Sequence, residues 1–274
     1  MHRLDNVIND IEPRIVAICN NAPKVEEPSL QEALTAYGWV LLDSWIAWRT
    51  LRFLLRETEI DEKVNDKWFQ TPSSYTASQL KAIWNFTEDT MDYLEKTIGK
   101  SFKNLIDSTV QSKRNSCAHF SRKSEITGAD SQEIKKIYGV LSKTFLLYEN
   151  AAFAKKMIQL LEKEGYDDFY ILYPNETRIE INKFTNTIEM FSLLMGYECR
   201  CYKDTVEYSI FFNQDGCKAG RVVEGNHMDF VDVPNQYQSK YCFLSNKGFY
   251  LKTSFFVSAV KDCWKKLEIV SNDL

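Results

Sequence analysis

The sequence predicts a helical bundle followed by a smaller α+β domain with an antiparallel sheet. Apolar residues recur in steps of three and four as far as about residue 163, the period of helices that bury one face. Beyond Gly165 the pattern turns into short runs rich in β-branched and aromatic residues, separated by turn residues. The length, 274 residues of which 44% are hydrophobic, suffices for two cores, so the chain divides into residues 1–165 and 166–274.

Residues 3 to 20 form an amphipathic helix with Leu4, Val7, Ile8, Ile11, Ile15 and Ile18 on its apolar side, interrupted near Pro13. A loop runs from Asn20 through Pro28. Ser29 then caps a helix over about 30 to 57, with Glu32 at the capping-box position. Its apolar residues, among them Trp39, Leu42, Trp45, Ile46, Leu51 and Phe53, occupy more than one face, which predicts burial on several sides. Asp43 lies within that run, where a carboxylate is costly without a partner. Residues 58 to 76 form a polar loop, in which Trp68 and Phe69 either stack bases or pin the loop to the core. A third helix covers about 76 to 98, with Leu80, Trp84, Met91, Leu94 and Ile98 on one stripe and Gly99 as its stop. A fourth runs from about 101 to 120 on Phe102, Leu105, Ile106, Thr109 and Val110. A long final helix, capped by Asp130 or Ser131, reaches about 163.

In the second half, 169–173 and 177–181 read as strands around Pro174-Asn175, followed by a helix over about 184 to 195. Strands at 198–203, 206–213 and 221–224 follow, the last after a turn at Gln214-Asp215-Gly216. His227 falls in a polar loop, 225–229. A hairpin at 241–245 and 248–253 and a helix over about 254 to 267 complete the domain. No Gly-rich phosphate loop and no nucleophile elbow occurs there.

Composition excludes several classes. The net charge of −4 argues against a protein that coats nucleic acid, and neither half is polybasic. Seven cysteines, at 19, 117, 199, 201, 217, 242 and 263, form an odd set without paired spacing, and with only three histidines they suggest reduced thiols and no metal site or cofactor. The chain opens on charged residues and holds no 18-residue apolar run, so a soluble, cytoplasmic protein without a membrane partner is expected.

The strongest chemical signal is Arg114-Asn115-Ser116-Cys117-Ala118-His119, at the end of the fourth helix. Five positions on a helix amount to about 7.5 Å along the axis and about 140° around it, while Asn115 and His119, four apart, share a face. A long guanidinium and a shorter imidazole can therefore converge on one anion. Arg stays charged and offers a planar donor fork to phosphate; His takes up or gives a proton near neutral pH. Between residues 100 and 123 stand Lys100, Lys103, Lys113, Arg114, Arg122 and Lys123 against Asp107 alone, a strip that either holds a few phosphates or is a solvated face. Lys113, Arg122 and Lys123 flank the motif as candidate substrate-binding residues.

This segment resembles the Arg-x4-6-His signature of HEPN ribonucleases, which are helical, usually dimeric enzymes of toxin–antitoxin, abortive-infection and CRISPR-associated systems. The resemblance covers roughly residues 1 to 165. It implies a metal-independent endoribonuclease, a toxin or antiviral defence effector, that cuts RNA through 2′-hydroxyl attack and leaves a 2′,3′-cyclic phosphate. It makes Arg114 and His119 catalytic and gives Asn115 a hydrogen bond to phosphate or to His119. It also implies a homodimer, RNA as substrate, and an antitoxin or sensor protein as a partner. Many members carry an acidic residue on the preceding helix, and Asp43 is the position that matches, paired either with His119 or, structurally, with Arg49. In toxins held by a minimal nucleotidyltransferase antitoxin, a Tyr stands two residues after the His. Ser121 occupies that position, so this mode of control is not expected, and residues 166–274 become the candidate for regulation, dimer building or target recognition. The competing expectation is a non-catalytic bundle of the same kind that acts as a binding or scaffold module in such a complex.

Overall fold

The computed structural model of the protein describes residues 3–58, 75–118, 126–173, 176–183, 187–213, 216–222 and 228–232. They divide into two compact units, one reaching to Phe145 and one beginning at Leu146. Most described residues are helical, and an antiparallel sheet occupies the carboxy-terminal part.

The first unit opens with α1 (Arg3–Asn21), which runs unbroken through Pro13. The expected interruption is absent because Pro13 is exposed, and Ile8, Ile11, Ile15 and Ile18 are all buried on the packed side and hold the helix across it. Helix α2 (Pro28–Thr58) is exposed in its first turns and buried nearly all round between Gly38 and Phe53, with Trp39, Leu42, Trp45 and Ile46 fully enclosed. Its cap is Glu27, not Ser29 with Glu32. Pro28 takes the first helical position, where a missing N–H costs nothing, and the Glu27 carboxylate accepts the N–H groups of Ser29 at 3.2 Å and Leu30 at 2.6 Å.

The single helix expected over 76 to 98 is two, α3 (Ala77–Trp84) and α4 (Glu88–Ile98). Asn85 adopts the left-handed conformation at φ 51° and ends α3, and Thr87 starts α4 by accepting the Thr90 N–H. Both elements keep their apolar stripe, because Leu80, Trp84, Leu94 and Ile98 are buried; the cap residues between them override the periodicity. Gly99, at φ 83°, stops α4 as expected.

The next helical stretch buries Phe102, Leu105, Ile106, Thr109 and Val110, the stripe read from the sequence. Its turns over Asn104–Val110 are π-helical, however, before α5 (Gln111–Ala118) resumes α geometry. A wider turn carries an extra residue per repeat and so resets which face the following residues present. Helix α6 (Gly128–Lys163) completes the helical run. It begins where the Asp130 carboxylate reaches back to the Thr127 N–H at 2.8 Å, and ends at Gly165, φ 85°, with Tyr166 N–H donating to the Leu161 carbonyl. At the centre of the first unit, Trp84 stacks between Phe53 and Phe145 at 4.2 and 4.3 Å, and its indole N–H donates to Thr50 Oγ1.

The second unit holds a six-stranded antiparallel sheet in the order β2-β1-β3-β4-β5-β6. Its strands are β1 (Asp167–Leu172), β2 (Arg178–Glu180), β3 (Glu198–Lys203), β4 (Val206–Asn213), β5 (Gly216–Val222) and β6 (Met228–Asp232), with α7 (Thr187–Gly196) between β2 and β3. A two-residue turn, Asp204 and Thr205 both at positive φ, joins β3 to β4, the backbone twist that a tight hairpin needs. Alternation sets the faces: Ile171, Cys199, Cys201 and Ile210 are buried on one side. On the other, Tyr202, Arg200 and Glu207 meet Tyr170 and Arg178. The strand expected at 221–224 begins earlier, at Gly216, because that glycine pairs with Asn213 and not with the turn. Met228 and Asp229, read as loop, belong to β6, where pairing with β5 satisfies their backbone. His227, the hairpin at 241–253 and the helix over 254 to 267 lie outside the described residues.

Candidate active site

Asp43 lies mid-way along α2 and is 2% exposed. Such a carboxylate needs partners, and the first unit supplies two. The Tyr75 hydroxyl donates to Oδ1 at 2.8 Å, and Nε of Arg114 stands 3.1 Å from Oδ2. The partner of Asp43 on the motif helix is therefore the arginine; Arg49 instead pairs with Glu12 at 3.1 Å, in a cluster that the Trp45 indole N–H completes. Burial pushes the Asp43 carboxyl above its ordinary range, against the lowering effects of the Tyr75 hydrogen bond and the Arg114 charge. Burial and the neighbouring Asp43 carry the Tyr75 phenol well above its own ordinary value, so it stays a proton donor.

Local sequence explains why Tyr75 reaches this place. Thr76 caps α3 in a reciprocal pair with Gln79, which fixes the chain direction just before the helix. Asp107, in the π-helical turn, accepts the Ala77 N–H at 3.0 Å, and the Gln111 side-chain amide donates to the Tyr75 carbonyl. The chain entering α3 is thus fastened to the motif helix at the Tyr75 carbonyl and at the Ala77 N–H. The sequence alone places Tyr75 in a polar loop; the signals that could single it out are an aromatic hydroxyl beside a helix cap and an apolar-embedded Asp43 that needs a donor.

The Arg114 side chain remains 21% exposed, near the carboxy-terminal end of the described helix. Asn115 next to it is exposed, and Cys117 half-buried, with burial pushing its thiol up. His119, Arg122 and Lys123 lie outside the described residues. Lys113 does not stand open: its ammonium is 2.9 Å from Oδ1 of the buried Asp130, which also receives the Trp39 indole N–H. Lys100 is likewise tied, to Glu133 at 2.5 Å and to Thr109 at 3.2 Å. Three members of the basic strip, Lys100, Lys113 and Arg114, are therefore stitched to acidic groups that come from α6 and α2.

Among the described residues, no group of three His, Cys, Asp or Glu is placed to hold a metal ion, and no helix is long and apolar enough to cross a membrane. What the geometry offers is an arginine held by a buried carboxylate, its side chain partly exposed, on the described helix that precedes His119 in sequence. Searched against protein-family models, curated proteins and solved structures, the chain matches none of them.

Proposed function

We propose that the amino-terminal unit is a metal-independent endoribonuclease of the HEPN kind, acting as a toxin or antiviral defence effector. The observation that carries this reading is the Asp43–Arg114 pair: the acidic residue of α2 holds the arginine of the Arg-Asn-x-x-x-His motif while the arginine side chain stays partly exposed. In the proposed reaction the ribose 2′-hydroxyl attacks the adjacent phosphorus and the 5′-oxygen leaves, which gives a 2′,3′-cyclic phosphate and a free 5′-hydroxyl. His119 takes the 2′-hydroxyl proton or donates one to the departing 5′-oxygen, each role worth about 10² to 10⁴ in rate. Arg114 neutralises charge that builds on the pentacoordinate phosphorus, where a donor fixed beforehand stabilises the transition state more than the substrate. Asn115, exposed beside it, donates to the phosphate or to His119. One motif supplies one imidazole, so a homodimer furnishes the acid and base together.

A second reading, a non-catalytic binding or scaffold module in a defence or toxin–antitoxin complex, is favoured by the engagement of Lys100 and Lys113 with Glu133 and Asp130, which reduces the charge left for phosphates. Incubation of the purified protein with total RNA in EDTA separates the two. Cleavage with cyclic-phosphate ends that disappears in His119→Ala and Arg114→Ala supports the nuclease. RNA left intact by the wild type favours the scaffold.

A further inference from the structure

We propose that Tyr75 is a positioning residue for the motif arginine: it donates to the same Asp43 carboxylate that holds Arg114, and so sets the guanidinium where phosphate is to be stabilised. This deepens the nuclease reading and rests on it.

Geometry carries the assignment. A carboxylate with two oxygens can rotate about its bond to the side chain, and a guanidinium paired with one oxygen follows that rotation. The Tyr75 hydroxyl, 2.8 Å from Oδ1, restrains the plane and leaves Oδ2 beside the Arg114 guanidinium, 3.1 Å from Nε. Tyr75 itself is 6% exposed, and its backbone is held by Gln111, three residues before Arg114 on α5. The Ala77 N–H, two residues on, is held by Asp107 of the π-helical turn. The motif helix therefore positions the tyrosine, the tyrosine orients the aspartate, and the aspartate orients the arginine of that same helix. Three elements converge on one buried carboxylate, an arrangement more specific than burial of an aromatic ring requires. A ring that only filled space would need no hydroxyl, and a phenylalanine would fill it equally well.

The test uses the full chain and the variant Tyr75→Phe, which keeps the ring and removes the donor; thermal unfolding checks that it folds. Arg114 is followed by NMR of side-chain Nε–H groups, its resonance assigned by its loss in Arg114→Lys. In Tyr75→Phe the Arg114 signal is expected to shift and to exchange faster with solvent. The rate constant kcat for RNA cleavage is expected to fall about tenfold, with KM changed less than about twofold, since the guanidinium acts on charge present only in the transition state. An Arg114 signal and a kcat both equal to wild type overturn the proposal, as does an equal loss of kcat with an unmoved Arg114 signal. If wild type cleaves no RNA, the nuclease reading falls by itself, and a Tyr75-dependent Arg114 resonance still records the positioning. Should Tyr75→Phe fail to fold, Gln111→Ala, which frees the Tyr75 backbone from α5, is expected to move the same resonance, and an unmoved resonance there overturns the proposal.

Discussion

Nε of Arg114 and Oδ2 of Asp43 are 3.1 Å apart, and the carboxylate is 2% exposed while the arginine side chain is 21% exposed. Removing one partner of a fully buried pair costs about 3–5 kcal/mol, because the other charge is left without compensation. Here the arginine side chain is partly exposed, so Arg114→Met, which leaves the Asp43 carboxylate buried without that cation, is expected to destabilise the protein by roughly 1–3 kcal/mol in urea unfolding. Combined with Asp43→Asn, the two effects should depart from additivity by about 0.5–3 kcal/mol, as for residues in contact. Strict additivity would mean that the pair contributes nothing.

Acid separates a second aspartate from the first. Burial raises the Asp130 carboxyl, but the Thr127 N–H and the Lys113 ammonium outweigh it, and its pKa lies below the ordinary 3.8. Such a group binds fewer protons when folded than when unfolded, so its contribution is full above about pH 3.8 and is lost as the pH falls through the folded value. The stability gap between wild type and Asp130→Asn should be steady from about pH 7 to pH 5 and narrow in stronger acid. Asp43, raised by burial, carries the opposite sign: its contribution is present below 3.8 and diminishes as the pH climbs through its folded value. A gap for Asp130→Asn that widens in acid would refute the assignment.

Trp84 tests the centre of the first unit. It is 1% exposed, stacked on Phe53 and Phe145, and hydrogen-bonded to Thr50 through its indole. Trp84→Ala opens a cavity and strands the threonine hydroxyl, for an expected loss of about 3–5 kcal/mol in chemical denaturation. A loss under about 1 kcal/mol would show that the aromatic stack does not anchor α3.

The break between α3 and α4 makes a smaller, local prediction. Thr87 Oγ1 accepts the Thr90 N–H at 3.2 Å, and Glu88 and Asp89 follow in the first turn. Thr87→Ala should cost about 1 kcal/mol, and Thr87→Asp should be close to neutral, because an aspartate supplies the same acceptor and suits the positive helix end. An alanine variant as stable as wild type, measured by thermal unfolding, would argue that packing alone starts α4.

Periodicity located most helices because burying one stripe imposes a repeat on the residues themselves: Phe102, Leu105, Ile106, Thr109 and Val110 were legible as a buried face and are one. What periodicity missed were local competitions decided by single atoms. The Asn85–Thr87 caps divide a continuous stripe, Glu27 displaces Ser29 as the α2 cap, and the widening over Asn104–Val110 leaves the stripe intact while it changes the turn. In the sheet, the strand at 216–222 was hidden because Gly216 looks like a turn residue until it is seen to pair with Asn213.

The sequence by itself determined that the first part is helical, that an antiparallel sheet follows, and that Asp43 requires a partner. Only the tertiary structure decided who meets whom. Asp43 is 71 positions from Arg114 and 32 from Tyr75, and nothing in local spacing couples side chains so far apart. Burial made a partner obligatory, and the packing of α2 against the motif helix chose the arginine, as the packing of α6 chose Asp130 for Lys113.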